Sequence, residues 1–308
     1  MMRRVLVASL FVGLLVGWAG LALAADRYWV TNPTSQANLL VQVVRPRGFS
    51  GGRLPALVLV PGGRSASDAF LRPTPGGSQA QEIADHGFAV AVFDPDGRGA
   101  SGGTEDDGGF VQQDGLAAVI RFAASLSDVD PAAIGLVSYS YGVTMATGAL
   151  ARHPDLSVLF VIDWEGPANR DDTGGCGKDK VGHLQGHPCS DEGFWSEREA
   201  STFILELRIP YQRLQSREDH AQPDVDHALL LLANATSEEY GGHGRAPWTR
   251  LNDLEPNRVY TQDSLPVLPP GGGILQRRIG DVALELVALF APRVVEGRGQ
   301  ETRLGTLT

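Results

Sequence analysis

The segment Gly135-Leu136-Val137-Ser138-Tyr139-Ser140-Tyr141-Gly142 sets a serine between small residues two positions before it and two positions after it. An apolar run leads into this segment and a run of helical composition follows, as a sharp strand-to-helix turn requires. At such a turn the flanking positions must be small, because larger side chains would collide. The Ser140 hydroxyl would then stand above a sheet edge at a helix N-terminus, where the dipole and a free backbone N–H favour developing negative charge. Those are the conditions for nucleophilic attack on an acyl carbonyl. Ser138 is a poor rival, because Leu136 would then fill a position that needs a small residue. A serine hydroxyl is nearly inert until a base takes its proton, and the base needs an acid to orient it. Seven histidines compete for the base: His86, His153, His183, His187, His220, His227 and His243.

The elements that must position these groups follow a regular rhythm. Short apolar runs at 39–44, 56–60, 88–93, 134–139, 159–162 and 209–214 read as strands. Between and after them, 79–86, 115–125, 141–152, 225–233 and 279–290 have helical composition or spacing. Strands alternating with helices predict the α/β class, a mostly parallel central sheet with helices on both faces. Residues 164–205 break the rhythm, rich in Gly, Asp and Glu and holding both cysteines, and are read as an insertion or lid between the late strands. There is no internal repeat and no linker, so residues 25–308 are expected to form one domain. Residues 294–308 read as a polar tail.

Residues 1–24 read as an address. Arg3 and Arg4 precede an uncharged run from 5 to 24, which ends in Ala22-Leu23-Ala24, a small-x-small cleavage pattern. An uncleaved membrane anchor is the alternative reading of a run this long. Either way the rest of the chain is expected to leave the cytoplasm, as a secreted or periplasmic protein. The formal charge of −10 becomes more negative when the two leader arginines are removed, which argues against a nucleic-acid partner. Cys176 and Cys189 are the only cysteines, and an oxidising compartment predicts one disulfide between them. The same loop reads Cys-x6-His-x3-His-x-Cys with His183 and His187, a set that also resembles zinc ligands. Asp94-x-Asp96-Gly97 hints at a calcium loop but lacks the later ligands, so these acids are read with Arg98 as a turn network. Asn234-Ala235-Thr236 matches a glycosylation sequon. Phe110, Trp164, Phe194 and Trp195 are aromatic candidates either for a pocket or for plain packing.

The serine turn, Val60-Pro61-Gly62-Gly63 after one strand and the run from Asp94 to Gly102 after the next together resemble the α/β-hydrolase superfamily. The chain is similar in particular to its dienelactone-hydrolase-like and prolyl-oligopeptidase-like branches, over nearly all of residues 35–292. It departs from them at Ser138, where the first glycine of the turn usually stands. The resemblance implies an α/β-hydrolase fold with triad members in the chain order Ser, acid, His. It puts Asp219, in the polar turn after residues 209–214, in the acid's place. Glu218 is adjacent, and Asp163, after the preceding strand, is the position used by some relatives. Chain order then disfavours the first four histidines. His220 adjoins the expected acid and would point elsewhere, and His227 falls in a helix-like run. His243, in Gly241-Gly242-His243-Gly244, is therefore the expected base. The oxyanion hole would use the N–H of Tyr141 and one from Gly62 or Gly63. The activity so implied is that of an exported serine hydrolase on esters or related acyl compounds, needing no cofactor and no metal. A peptidase of prolyl-oligopeptidase-like type is the alternative, and a non-catalytic binding protein on the same fold is a third reading.

Overall fold

A computed structural model describes residues 25–173, 176 and 187–292. The leader at 1–24, the tail from 294 and His183 lie outside the described residues. The strands are β1 (Asp26–Thr31), β2 (Asn38–Val44), β3 (Leu54–Val60), β4 (Ala89–Phe93), β5 (Val129–Tyr139), β6 (Phe160–Trp164), β7 (Tyr211–Leu214) and β8 (Thr249–Leu251). The helices are α1 (Asp68–Leu71), α2 (Gln79–Ala84), α3 (Phe110–Ser125), α4 (Gly142–Arg152), α5 (Glu192–Trp195), α6 (Ala200–Phe203), α7 (Asp226–Ala235), α8 (Gly272–Arg277) and α9 (Ile279–Phe290).

Among the described residues, all eight strands join one sheet in the order β1-β2-β4-β3-β5-β6-β7-β8. Only the pairings of β1 with β2 and of β2 with β4 are antiparallel. From β4 through β3 to β8 every pairing is parallel. The apolar runs anticipated as strands are buried on both faces, which is why they read as continuous rather than alternating. Ala56, Val58 and Val60 of β3 face Leu116, Val119 and Ile120 of α3 and Met145, Ala146 and Ala149 of α4. Leu57 and Leu59 face the other way, towards Ile83 of α2 and Ile279, Val282 and Leu286 of α9. The strand period of two thus fills two cores from one segment. The edge strands β1 and β8 escaped the sequence reading; β1 is half exposed and β8 has 3 residues.

The insertion begins later than the composition suggested, because Trp164 still pairs with Leu214 inside the sheet. Its buried anchor is Trp195, which packs with Cys176 against Tyr141. Arg198 ties the insertion to the loop before α3, donating from Nη2 to the Asp106 carboxylate at 2.7 Å. Cys176 and Cys189 form a disulfide, so the zinc alternative fails: both thiols are bonded to each other. His187 instead stacks on Phe194, ring centroids 3.5 Å apart. The acids after β4 are held in turn networks, but Arg98, expected to join them, pairs with Glu105 instead, Nε to Oε2 at 2.8 Å. Asp94 accepts from the Ser67 and Ala100 N–H groups at 2.9 and 2.8 Å, and Asp96 accepts from Asn32 Nδ2 at 2.8 Å. The sequon spans the C-terminal end of α7, where Asn234 Nδ2 already donates to the Ser201 carbonyl at 2.9 Å.

Candidate active site

Ser140 follows β5 directly and holds φ at +50°, in the left-handed region that a non-glycine residue enters only under constraint. The constraint is visible on both sides. A Cβ at Gly142 would lie 2.7 Å from the Val60 carbonyl oxygen, and one at Gly62 would lie 2.5 Å from the Tyr139 oxygen. Only glycine allows the β3 loop and the serine turn to come this close. Ser138, the departure from the usual glycine, is fully buried and donates from Oγ to Asp163 Oδ1 at 3.2 Å. Its hydroxyl is thus satisfied rather than merely tolerated.

The Ser140 hydroxyl meets His220, with Oγ and Nε2 2.9 Å apart. His220 comes from the loop after β7, its ring stacked on Trp164 with centroids 4.5 Å apart. Its other nitrogen, Nδ1, lies 2.9 Å from Glu165 Oε2 and 3.3 Å from Asp219 Oδ1. Two carboxylates on Nδ1 place the proton there, leaving Nε2 as the acceptor for the serine proton. Glu165 occupies the first position after β6, with φ +49° and a fully buried side chain. Its Oε1 accepts from the Ser216 N–H at 3.1 Å and from the Ser216 hydroxyl, and Oε2 also accepts from the His220 N–H at 3.2 Å. Asp219 is held as firmly: Oδ1 accepts from the N–H groups of Ala221 and Gln222 at 2.8 and 2.9 Å, and Oδ2 from Gln215 Nε2 at 2.9 Å.

The structure brings a different histidine to the serine, and sets a second acid beside the expected one. The expected base, His243, is not brought to Ser140. It lies exposed beyond α7, its N–H bonded to the Ala233 carbonyl. The flanking glycines do accommodate an approaching backbone, but it is the chain's own: a Cβ at Gly244 would lie 2.0 Å from the Asn234 oxygen. His220 was passed over because it adjoins Asp219, yet that adjacency lets both side chains reach one point. The nearest acid to Nδ1 is Glu165, with Asp219 beside it. Asp163 is buried away from the imidazole in an ion pair with Arg213. A signal for Glu165 was present: an acid followed by glycine just beyond the apolar run Phe160-Val161-Ile162, after Asp163 and Trp164. Of the residues expected at the oxyanion hole, Tyr141 directly follows Ser140, Gly62 packs against Tyr139 and Ser140, and Gly63 holds φ +51°. Of the aromatics, Trp164 belongs to the site. Phe110 packs under Arg152 and Trp195 is fully buried.

The electrostatics follow from this geometry. Burial disfavours the imidazolium, but hydrogen bonding to Asp219 and Glu165 outweighs it and pushes His220 up to about 9. Burial likewise opposes charge on Asp219, yet contacts with His220, His227 and Gln215 hold its carboxyl far below the usual range. Glu165 is lowered by its hydrogen bonds to His220 and Ser216 against the same burial. Glu165, Asp219 and His220 also bring three ligand-type atoms within 4.8 Å of one another. Each carboxylate oxygen facing the ring is already engaged by protein N–H groups, so the cluster serves to orient the imidazole.

A strained serine at the end of a parallel strand, on this strand order, defines an α/β-hydrolase fold. Residues 36–166 match the model of the X-Pro dipeptidyl-peptidase (S15) family. No curated protein matches the sequence. Among solved structures, 2,6-dihydroxy-pseudo-oxynicotine hydrolase is similar with 18% identity and TM-score 0.61, over 88% of this chain and 71% of that one. An esterase of Pyrococcus furiosus is similar with 15% identity and TM-score 0.59, over 88% and 94%. Dipeptidyl peptidase 4 of Porphyromonas gingivalis has 16% identity and TM-score 0.59, over 85% of this chain but only 35% of the peptidase.

Proposed function

We propose that the chain is an exported serine hydrolase that cleaves ester or related acyl bonds, with Ser140 as nucleophile, His220 as base and Glu165 as orienting acid. The observation that carries this reading is the continuous line from Ser140 Oγ through both ring nitrogens of His220 to Glu165, each contact 2.9 Å. Ser140 Oγ attacks the acyl carbon while Nε2 of His220 takes its proton. The tetrahedral intermediate collapses, the bond to the leaving oxygen breaks, and Nε2–H protonates that oxygen. Water, deprotonated by the same nitrogen, then releases the acyl group and restores Ser140. Glu165 keeps Nδ1–H in place and stabilises the imidazolium formed at each step. The N–H of Tyr141 and one from Gly62 or Gly63 receive the oxyanion, where one such donor is worth about 3 kcal/mol. The leader and the disulfide both support an exported protein.

A second reading, a peptidase, is favoured by the match of residues 36–166 to the X-Pro dipeptidyl-peptidase family. One experiment addresses both. The chain is treated with a fluorophosphonate, and turnover of p-nitrophenyl esters is compared with that of aminoacyl and prolyl anilides. Labelling should be lost in Ser140→Ala, with ester turnover falling by about 10⁶-fold. His220→Ala should fall comparably, whereas His243→Ala should keep its rate. No labelling of the wild type sinks both readings, and anilide turnover well above ester turnover selects the peptidase.

A further inference from the structure

His227 is an anomaly that the triad does not use. It sits in the first turn of α7, only 2% exposed, and neither ring nitrogen has a hydrogen bond of good geometry. A buried polar group in that state is destabilising unless a neighbour engages it. Its Nε2 nevertheless lies 3.3 Å from Asp219 Oδ2. The opposite oxygen of that carboxylate lies 3.3 Å from Nδ1 of His220. The path therefore runs from a buried imidazole, through a fully buried carboxylate side chain, to the base.

We propose that His227 and Asp219 are positioning residues for the catalytic base: His227 holds Asp219 against His220, so that Nδ1 is gripped by two carboxylates, Glu165 and Asp219, instead of one. This rests on the reading of His220 as the base. Glu165 supplies the shorter contact, and Asp219 adds a second negative charge on the same nitrogen. His227 keeps that charge turned inward, since Asp219 side-chain rotation would break the Nε2 contact and the bond from Gln215 together. The charged groups around this path come from several elements. Asp219 meets His220, His227 and, at longer range, Arg213 of β7. His220 meets Asp219 and Glu165. His227 also interacts with Asp172 of the insertion, whose carboxyl is raised by burial and lowered again by that imidazole. The elevated basicity of His220 agrees with a double grip.

The test is a pH–rate profile of kcat/KM on the full chain, using a p-nitrophenyl ester. Asp219→Asn should move the limb set by the base acid-ward by about 1–3 pH units, the effect of removing one charge at this distance. His227→Leu should move it in the same direction, and the double variant should move no further than Asp219→Asn alone, because the two act through one contact. His227→Gln, which retains an N–H of similar reach, should restore the wild-type limb. If His227→Leu does not fold, His227→Asn, polar but too short to reach Asp219, replaces it with the same expected shift. A limb unmoved in Asp219→Asn overturns the proposal, as do shifts that add fully in the double variant. Fluorophosphonate labelling keeps the two levels apart: an unlabelled wild type defeats the triad reading, whereas a labelled wild type with an unmoved limb defeats only the double grip.

Discussion

At the residue scale the site is a set of local strains and close approaches, each tied to a neighbour. Ser140 and Glu165 both hold positive φ, at +50° and +49°, immediately after adjacent parallel strands. Both side chains meet His220, Ser140 at Nε2 and Glu165 at Nδ1. The backbone fixes them as well: the Ser140 N–H donates to the Trp164 carbonyl at 2.8 Å, and the Glu165 N–H to the Leu214 carbonyl at 3.1 Å. His220 between them has a pH consequence with a definite sign. A base must be unprotonated to accept the serine proton, and here its protonated form is favoured up to about 9. The wild-type kcat/KM should therefore rise about tenfold per unit through neutral pH and level off near pH 9. Glu165 and Asp219 are both lowered, so they stay ionised throughout and add no limb of their own in that range. A wild-type profile already flat from pH 7 to 9 would contradict the two carboxylates at Nδ1.

At the element scale, α8 has a role that its length conceals. Trp164 Nε1 donates to the Gly272 carbonyl at 3.2 Å, drawing the start of α8 over the end of β6. A Cβ at Gly272 would stand 2.7 Å from Glu165 Oε2, the oxygen that faces His220. Gly272→Ala should therefore push the carboxylate off the imidazole. We expect kcat to fall by up to about 100-fold with KM little changed, since a displacement of about 1 Å is enough for such a loss. Gly273→Ala is the control, because a Cβ there meets nothing within 4 Å. Equal effects of the two substitutions on steady-state rates would show that α8 matters only as a helix.

At the scale of the whole molecule, the three chemical groups rise from three successive neighbours in one parallel sheet. Ser140 follows β5, Glu165 follows β6, and the His220 loop follows β7. Parallel strands end on the same side, so their C-terminal loops share one crevice, the usual place for ligands in open α/β sheets. Strands about 4.8 Å apart carry loops that a serine, an imidazole and a carboxylate can bridge. Trp195 and Cys176 of the insertion between β6 and β7 pack with Tyr141, and the disulfide closes a span of 13 residues. Cross-linking a loop of this size restricts the unfolded chain by about 3 kcal/mol. A reductant should thus lower Tm by ~6–12 °C, read by calorimetry against Cys176→Ser/Cys189→Ser. A melting point unmoved in both would mean that the bridge adds nothing to stability.

The sequence by itself determined the alternation of strands and helices, the serine at its turn and the pairing of the two cysteines. The first two depend on local spacing, and the third on there being only two cysteines in a chain read as exported. The resemblance that the sequence motifs carry also pointed to Asp219 and the Pro-Gly-Gly loop as neighbours of the serine turn. The partner imidazole was decided only by tertiary structure. His220 and His243 differ little as letters in polar loops. What separates them is that one loop leaves β7 beside β6, while the other folds back on the end of α7. Glu165 was hidden for the same reason: its meaning lies in strand order, which puts residues 25 positions from the serine and 55 from the histidine at one point. Such contacts are set by sheet register and by where each strand stops, and neither is written in the immediate neighbours of the residues concerned.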